Sequence, residues 1–175
     1  MMQKLVPIAG FALALALVVP GWTAHHKTEE AASILERVES LTYDIREQAA
    51  RIRTYNRAPE LHSWQLHASE LGRIESETDE IADLLDDFKG IKQDASQRQN
   101  YAYNKVIGLM SDISDQTTAA IRIVNTDREK LTVAHPDYTS KIDAIYDHAD
   151  EAIEAIGIAE DLGELMETWK SESDE

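Results

Sequence analysis

The chain of 175 residues contains no cysteine, and only four prolines, seven glycines and two phenylalanines. Without cysteine there can be no disulfide, thiolate metal site, c-type haem attachment, thiol nucleophile or acylated lipoprotein anchor. The sequence also has no phosphate-binding glycine loop, no Gly-x-Ser-x-Gly and no His-Glu-x-x-His. We therefore expect a protein that is held together by packing alone, is not an enzyme and carries no cofactor.

Positive charge is also scarce, because 17 lysines and arginines face 33 aspartates and glutamates, for a net charge of −16. Such a surface repels the phosphates of nucleic acids and of anionic membranes, so we expect neither as a partner. It suits solubility, cationic partners or loosely bound divalent cations. The simplest interpretation is a solvated acidic surface.

Only one long hydrophobic run is present, at residues 5–19, where it follows Lys4 and is interrupted by Pro7 and Gly10. Fifteen helical residues span about 22 Å, whereas a bilayer core needs about 30 Å. A short positive start and a short apolar run are typical of an export signal. We expect a periplasmic or secreted protein without membrane insertion after cleavage.

Two cleavage positions fit this segment. Cleavage after Ala24 gives a signal peptide of residues 1–24, although Trp22 is large for the −3 position. Cleavage after Gly21 is the alternative, and an uncleaved segment would form a short anchor.

Four later segments place apolar residues three and four positions apart, as on one face of a helix in a coiled-coil-like seam. This spacing predicts four long helices, at about 28–57, 59–89, 96–125 and 136–170, in a bundle of residues 25–175. The predicted core lines are Ala31, Leu35, Val38, Thr42, Ile45, Ala49 and Ile52 in the first; Leu61, Trp64, Ala68, Leu71, Ile74, Thr78, Ile81, Leu85 and Phe88 in the second; Tyr103, Val106, Met110, Ile113, Thr117, Ala120 and Val124 in the third; and Ile142, Ile145, Ala149, Ala152, Ile156, Ala159, Leu162, Met166 and Trp169 in the fourth.

Local signals at the helix ends agree with these bounds. Pro59 and Pro136 suit first helical turns, Gly90 suits a C-terminal glycine cap, and Ser96 with Gln99 forms a capping-box pattern. Short connections favour antiparallel neighbours, so we predict an up-down-up-down four-helix bundle. The alternative is a pair of helical hairpins that complete their core as a homodimer.

The stretch HSWQLHASELGRI, residues 62–74, contains the two residues that we single out as functional or core polar candidates, Trp64 and His67. His62 and His67 point about 140° apart on a helix and cannot share one metal. We interpret His67 as a half-buried structural imidazole, hydrogen-bonded to Gln48, Tyr103 or a carboxylate.

A metal- or haem-binding protein is the alternative function. Conceivable haem donors are His67, His148, Met110 and Met166, whereas a di-iron bundle needs Glu-x-x-His, which the sequence lacks.

The N-terminus offers a second metal-binding candidate. If the signal is cut after Ala24, the α-amino group of His25 and the imidazoles of His25 and His26 would chelate copper or nickel. A polar, disordered N-terminus without a bound metal is the favoured interpretation.

Several stretches resemble a group of exported, all-helical bacterial proteins to which no function is assigned. They are Trp64-x-x-His67-x-x-x-Leu71-x-x-Ile74, AAIRIVN (119–125), HPDY (135–138) and AIGIAEDLGELMETW (155–169). The resemblance implies export and a helical fold, and it transfers no catalytic residue. Members of that group tend to have threonine where this chain has His135, which implies a weaker N-cap here. We therefore expect a non-enzymatic interaction or scaffold protein of the cell envelope, with an unknown protein partner.

Overall fold

A computed structural model describes the backbone of residues 20–58, 63–126 and 135–173, and the side chains of residues 27–58, 63–126 and 135–159. Four helices fill these ranges: α1 (Pro20–Arg57), α2 (Trp64–Ile91), α3 (Gln97–Thr126) and α4 (Pro136–Ser173). No strand occurs in these ranges, so the predicted all-helical class is confirmed. None of the described helices is long and apolar enough to span a bilayer.

The observed helices lie close to the predicted ones except at two starts. α1 begins at Pro20 rather than near residue 28, and α2 begins at Trp64 rather than near residue 59. Pro59 and the predicted signal segment up to residue 19 lie outside the described residues. α3 and α4 begin within one residue of the expected positions.

The core follows the predicted lines of apolar residues along all four helices, except that Trp64 and Ala68 in α2 are only partly buried and Leu61 lies outside the described residues. Every predicted position from Ala31 to Ile52 in α1 and from Tyr103 to Val124 in α3 is buried. In α4, the predicted positions from Ile142 to Ala159 are buried, while Leu162, Met166 and Trp169 lie outside the described side chains. One continuous seam of apolar side chains therefore holds the helices together.

The turn between α2 and α3 confirms one predicted cap and corrects another. Ser96 and Gln99 form the capping box, since the amide of Ser96 donates to Gln99 Oε1 at 2.8 Å and the amide of Gln99 donates to Ser96 Oγ at 3.2 Å. The prediction of a glycine cap at Gly90 is wrong, because α2 continues to Ile91 and Gly90 has no positive φ. Instead, the side-chain amide of Asn100 donates to the carbonyls of Lys92 and Ala95, which removes the need for a left-handed glycine.

Each helix packs along two others, in the pairs α1–α2, α2–α3, α3–α4 and α4–α1. Arginines of α1 form ion pairs with carboxylates on both of its neighbours. The pairs to α2 are Arg37–Glu80 at 2.8 Å and Arg51–Glu70 at 3.1 Å, and the pairs to α4 are Arg46–Asp150 at 2.9 Å and Arg53–Asp143 at 2.7 Å.

Candidate functional site

Three rings from three helices meet at one end of the core. Tyr55 lies in the last turn of α1, His67 in the first turn of α2 and Tyr138 in the first turn of α4. We call these three residues the His67 cluster. His67 and Tyr138 are each 1% exposed and belong to the interior, while Tyr55 is partly buried.

The His67 ring lies edge-on to both tyrosines. Its centroid is 5.5 Å from that of Tyr55, at an interplanar angle of 70°, and 5.5 Å from that of Tyr138, at 60°. Edge-to-face contacts of this kind match the quadrupoles of aromatic rings and favour one relative orientation. The cluster therefore fixes how the ends of α1, α2 and α4 meet.

A hydrogen bond joins His67 to Tyr138, with 3.0 Å between Nδ1 and the hydroxyl oxygen. Burial raises the pKa of the Tyr138 phenol well above its usual range, because the charged phenolate would lose its hydration. The phenol therefore keeps its proton at neutral pH and can donate it to Nδ1. Donation in this sense requires a neutral imidazole with its own proton on Nε2.

His135, the substitution noted in the sequence, caps the same helix. The amide of Tyr138 donates to His135 Nδ1 at 3.4 Å, and the amide of Thr139 donates to the His135 carbonyl at 3.0 Å. The imidazole nitrogen thus takes the place that a threonine hydroxyl would occupy. One turn of backbone therefore holds Tyr138 in position to meet His67.

The sequence analysis expected a half-buried, structural His67, and that role stays a prediction. His67 is fully buried rather than half-buried, and its Nδ1 is bonded to Tyr138, while the expected partner Gln48 donates to Glu77. Tyr138 lies four residues before Ile142, so extending the α4 core line by one turn would have found it. Trp64, the other singled-out residue, is partly buried and packs against the core.

Gln48 bonds instead to Glu77, in a polar contact between α1 and α2. Gln48 Nε2 donates to Glu77 Oε1 at 2.6 Å, while Gln48 Oε1 and Glu77 Oε2 are buried and have no hydrogen-bond partner. Partial burial raises the pKa of Glu77, and the hydrogen bond from Gln48 opposes that shift only in part. Burial of the charged Glu77 carboxylate therefore costs stability, and the hydrogen bond from Gln48 offsets only part of that cost.

The residues considered as haem donors lie on three different helices of the described structure, His67 on α2, Met110 on α3 and His148 on α4. Met110 is buried in α3, and His148 in α4 has a buried Nδ1 without a hydrogen-bond partner. Among the described residues, no group of three histidines, aspartates or glutamates could hold a metal ion. The structure does not describe the side chains of Met166, His25 and His26. The terminal chelate by His25 and His26 therefore stays a prediction.

Charge is divided unevenly among the helices. α2 has eight acidic and two basic residues and α4 has eleven and two, whereas α1 has six of each and α3 has two acidic and three basic. Because α2 and α4 each pack between α1 and α3, the two acidic helices occupy opposite positions in the bundle. Among the residues with described side chains, negative charge is therefore concentrated on the α2 and α4 sides.

No protein-family model, curated protein or solved structure matches the chain. The resemblance to exported all-helical bacterial proteins therefore stays a prediction.

Proposed function

We propose that this protein is a non-enzymatic interaction or scaffold protein of the cell envelope. The observation that carries the proposal is the division between interior and surface. Inside, a continuous apolar seam fills the bundle, and the buried imidazole of His67 is bonded to Tyr138. Outside, two opposite sides carry most of the negative charge. A rigid acidic rod of this kind suits recognition of a protein partner with a cationic surface.

Capture of envelope proteins by the purified chain tests this role. We expect a saturable partner that is released as salt rises, because exposed charges are screened within about 10 Å at 0.1 M salt. Neutralising two exposed carboxylates of α4 in Glu151→Gln/Glu154→Gln should weaken capture. The matched variant Glu36→Gln/Glu47→Gln on α1 should retain it. Equal loss in both variants, or capture insensitive to salt, would contradict the proposal.

Export through residues 1–24 is the second part of the proposal. It is supported by the short apolar run after Lys4. N-terminal sequencing of the mature protein should give His25 as the first residue. A mature protein that still begins at the initiator methionine and stays in the cytoplasm would contradict it.

We also infer an up-down-up-down arrangement of the four helices. Arg37 pairs with Glu80 whereas Arg51 pairs with Glu70, so residue numbers rise along α1 as they fall along α2. Arg46–Asp150 and Arg53–Asp143 support the same relation between α1 and α4.

Distances between spin labels test this arrangement, because the chain contains no native cysteine to interfere. A label pair at positions 36 and 83 should give a short distance and a pair at positions 36 and 69 a long one. The reverse order would contradict the inferred topology.

A further inference from the structure

A groove of about 410 Å³ runs between α2 and α3. On α2 its lining extends from Thr78 to Lys89, which corresponds to about 16 Å of helix. Pockets for small organic ligands span about 300–1,000 Å³, so the groove is of a suitable size.

Contacts near the C-terminal end of α2 fix which residues of the two helices lie opposite each other along this groove. Phe88 stacks on Tyr103 with 4.8 Å between ring centroids, and Lys92 donates to Asn104 at 2.8 Å. The C-terminal part of α2 therefore faces the N-terminal part of α3. It follows that Thr78 and Asp79 lie opposite the stretch 111–115.

The end near Asp79 is acidic and rich in hydroxyl groups. Its lining residues are Thr78, Asp79, Ser111, Ser114 and Asp115. In the part of the chain with described side chains, no cationic group lies within ion-pair distance of Asp79 or Asp115. Two uncompensated carboxylates at one end of a groove favour a cation there.

The middle of the groove is apolar. Leu85 and Met110 form its floor and are 3% and 4% exposed, and Ile107 at its edge is 44% exposed. A docked helix needs several exposed apolar anchors along its length, but Ile107 is the one large exposed apolar side chain among the described lining residues. The groove therefore suits a slender apolar chain better than a helix.

The cations at the opposite end and just beyond it, Lys89 and Lys92, already have partners. Lys89 lies 3.4 Å from Asp86, and Lys92 bonds to Asn104 while its Nζ lies 4.4 Å from the centre of the Tyr103 ring. An anionic head group would have to compete with these contacts and with the net charge of −16. A cation that binds the unpaired carboxylates at the other end does not have to displace an existing partner.

The geometry points to a binding site for an organic cation with an unbranched apolar tail. Its ammonium head lies between Asp79 and Asp115, and its tail follows Leu85, Ile107 and Met110 along the groove. Binding to this site is independent of the envelope partner proposed above, because a small ligand in the groove needs no protein partner.

Calorimetric titration of the full chain with decyltrimethylammonium, below its micelle concentration, tests the site. We expect one saturable site and much weaker binding of decanoate, which has a tail of similar length and the opposite charge. Tetramethylammonium, which lacks the tail, should also bind much more weakly. Decanoate binding as tightly as the ammonium would overturn the proposal.

Two pairs of surface variants locate the site. Asp79→Asn/Asp115→Asn should weaken binding about tenfold, whereas the matched change Asp83→Asn/Asp112→Asn on the same two helices, outside the groove, should have little effect. Equal weakening in both would mean that only general surface charge is sensed, and would overturn the site.

The apolar contact is tested separately, with helical circular dichroism confirming that each variant is folded. Ile107→Ser should weaken binding of decyltrimethylammonium, and Ile158→Ser, an equally exposed isoleucine on α4, should not. A lysine-rich amphipathic peptide is the last ligand to be titrated. If it binds in an Asp79- and Asp115-dependent manner while the small cation does not, the groove docks a protein segment and the proposal fails.

Discussion

The imidazole of His67 and the phenol of Tyr138 lie 71 positions apart in sequence and share a buried hydrogen bond of 3.0 Å. His67→Leu strands the Tyr138 hydroxyl, and Tyr138→Phe removes the hydrogen bond between that hydroxyl and His67 Nδ1. Each change should lower the free energy of unfolding by about 1–3 kcal/mol, the cost of an unsatisfied buried polar group. The double variant should cost less than the two single changes together, because neither partner is then left alone.

Urea unfolding at pH 7 measures these three variants, and Tyr101→Phe, which removes an exposed hydroxyl, is the control. Additive losses in the double variant would show that the bond contributes nothing specific to stability.

Glu77→Gln should raise the melting temperature at pH 7. The folded-state pKa of Glu77 is raised by burial above the ordinary value of 4.5, so the charged form is penalised in the folded protein. The associated stability is present below the ordinary carboxyl pKa and is lost as pH rises through the raised folded-state pKa. The difference in melting temperature between Glu77→Gln and the wild type should therefore be present at pH 7 and disappear at about pH 4.

Thermal unfolding at several pH values checks this, with Glu75→Gln at an exposed position of α2 as the control. A Glu77→Gln variant that melts lower than the wild type at pH 7 would show that the carboxylate is stabilising there.

The capping box at the start of α3 should contribute measurably to stability. Ser96→Ala should cost about 1 kcal/mol, the usual value for loss of an N-cap. Gln99→Ala should cost more, because Gln99 Nε2 also donates to the Thr28 carbonyl of α1 at 2.9 Å. Ser69→Ala, at an exposed position inside α2, should be neutral or slightly stabilising. Urea unfolding that ranks Gln99→Ala with this control would refute the link between α1 and α3.

The ion pairs of α1 should differ in strength according to the burial of their carboxylates. The Glu70 side chain is 10% exposed and that of Glu80 is 49% exposed. Arg51→Ala leaves a buried carboxylate with only Arg73 at 3.8 Å, so it should cost about 1–2 kcal/mol. Arg37→Ala should stay within about 0.5 kcal/mol, as is usual for exposed pairs. Equal free energies of unfolding for the two variants would contradict this ranking.

Much of the fold follows from the sequence, because the spacing of apolar residues depends only on helical geometry. The α1 line from Ala31 to Ile52 is buried at every predicted position. At the start of α2, spacing alone does not decide whether His67 or Ala68 faces the core, since both lie within one turn of Leu71. The structure buries His67 fully and Ala68 only in part. Packing against the Tyr55 and Tyr138 rings favours an aromatic partner at this level.

Features that depend on residues distant in sequence could not be predicted in the same way. The His67–Tyr138 bond requires knowledge of which helices are neighbours and at what height they meet. The capping after α2 also depends on the next helix. The side-chain amide of Asn100 in α3 donates to the carbonyls of Lys92 and Ala95, so no glycine cap is needed at Gly90. The groove between α2 and α3 likewise has no local signal, because its two walls come from different helices.

The placement of α2 and α4 on opposite sides of the bundle governs how two copies of this chain can approach each other. A copy that approaches either acidic flank meets like charge along the described part of that helix, whereas the α1 and α3 flanks are nearly neutral. Side-by-side association is therefore electrostatically cheapest through α1 or α3. In such an assembly, the acidic helices would form its outer edges.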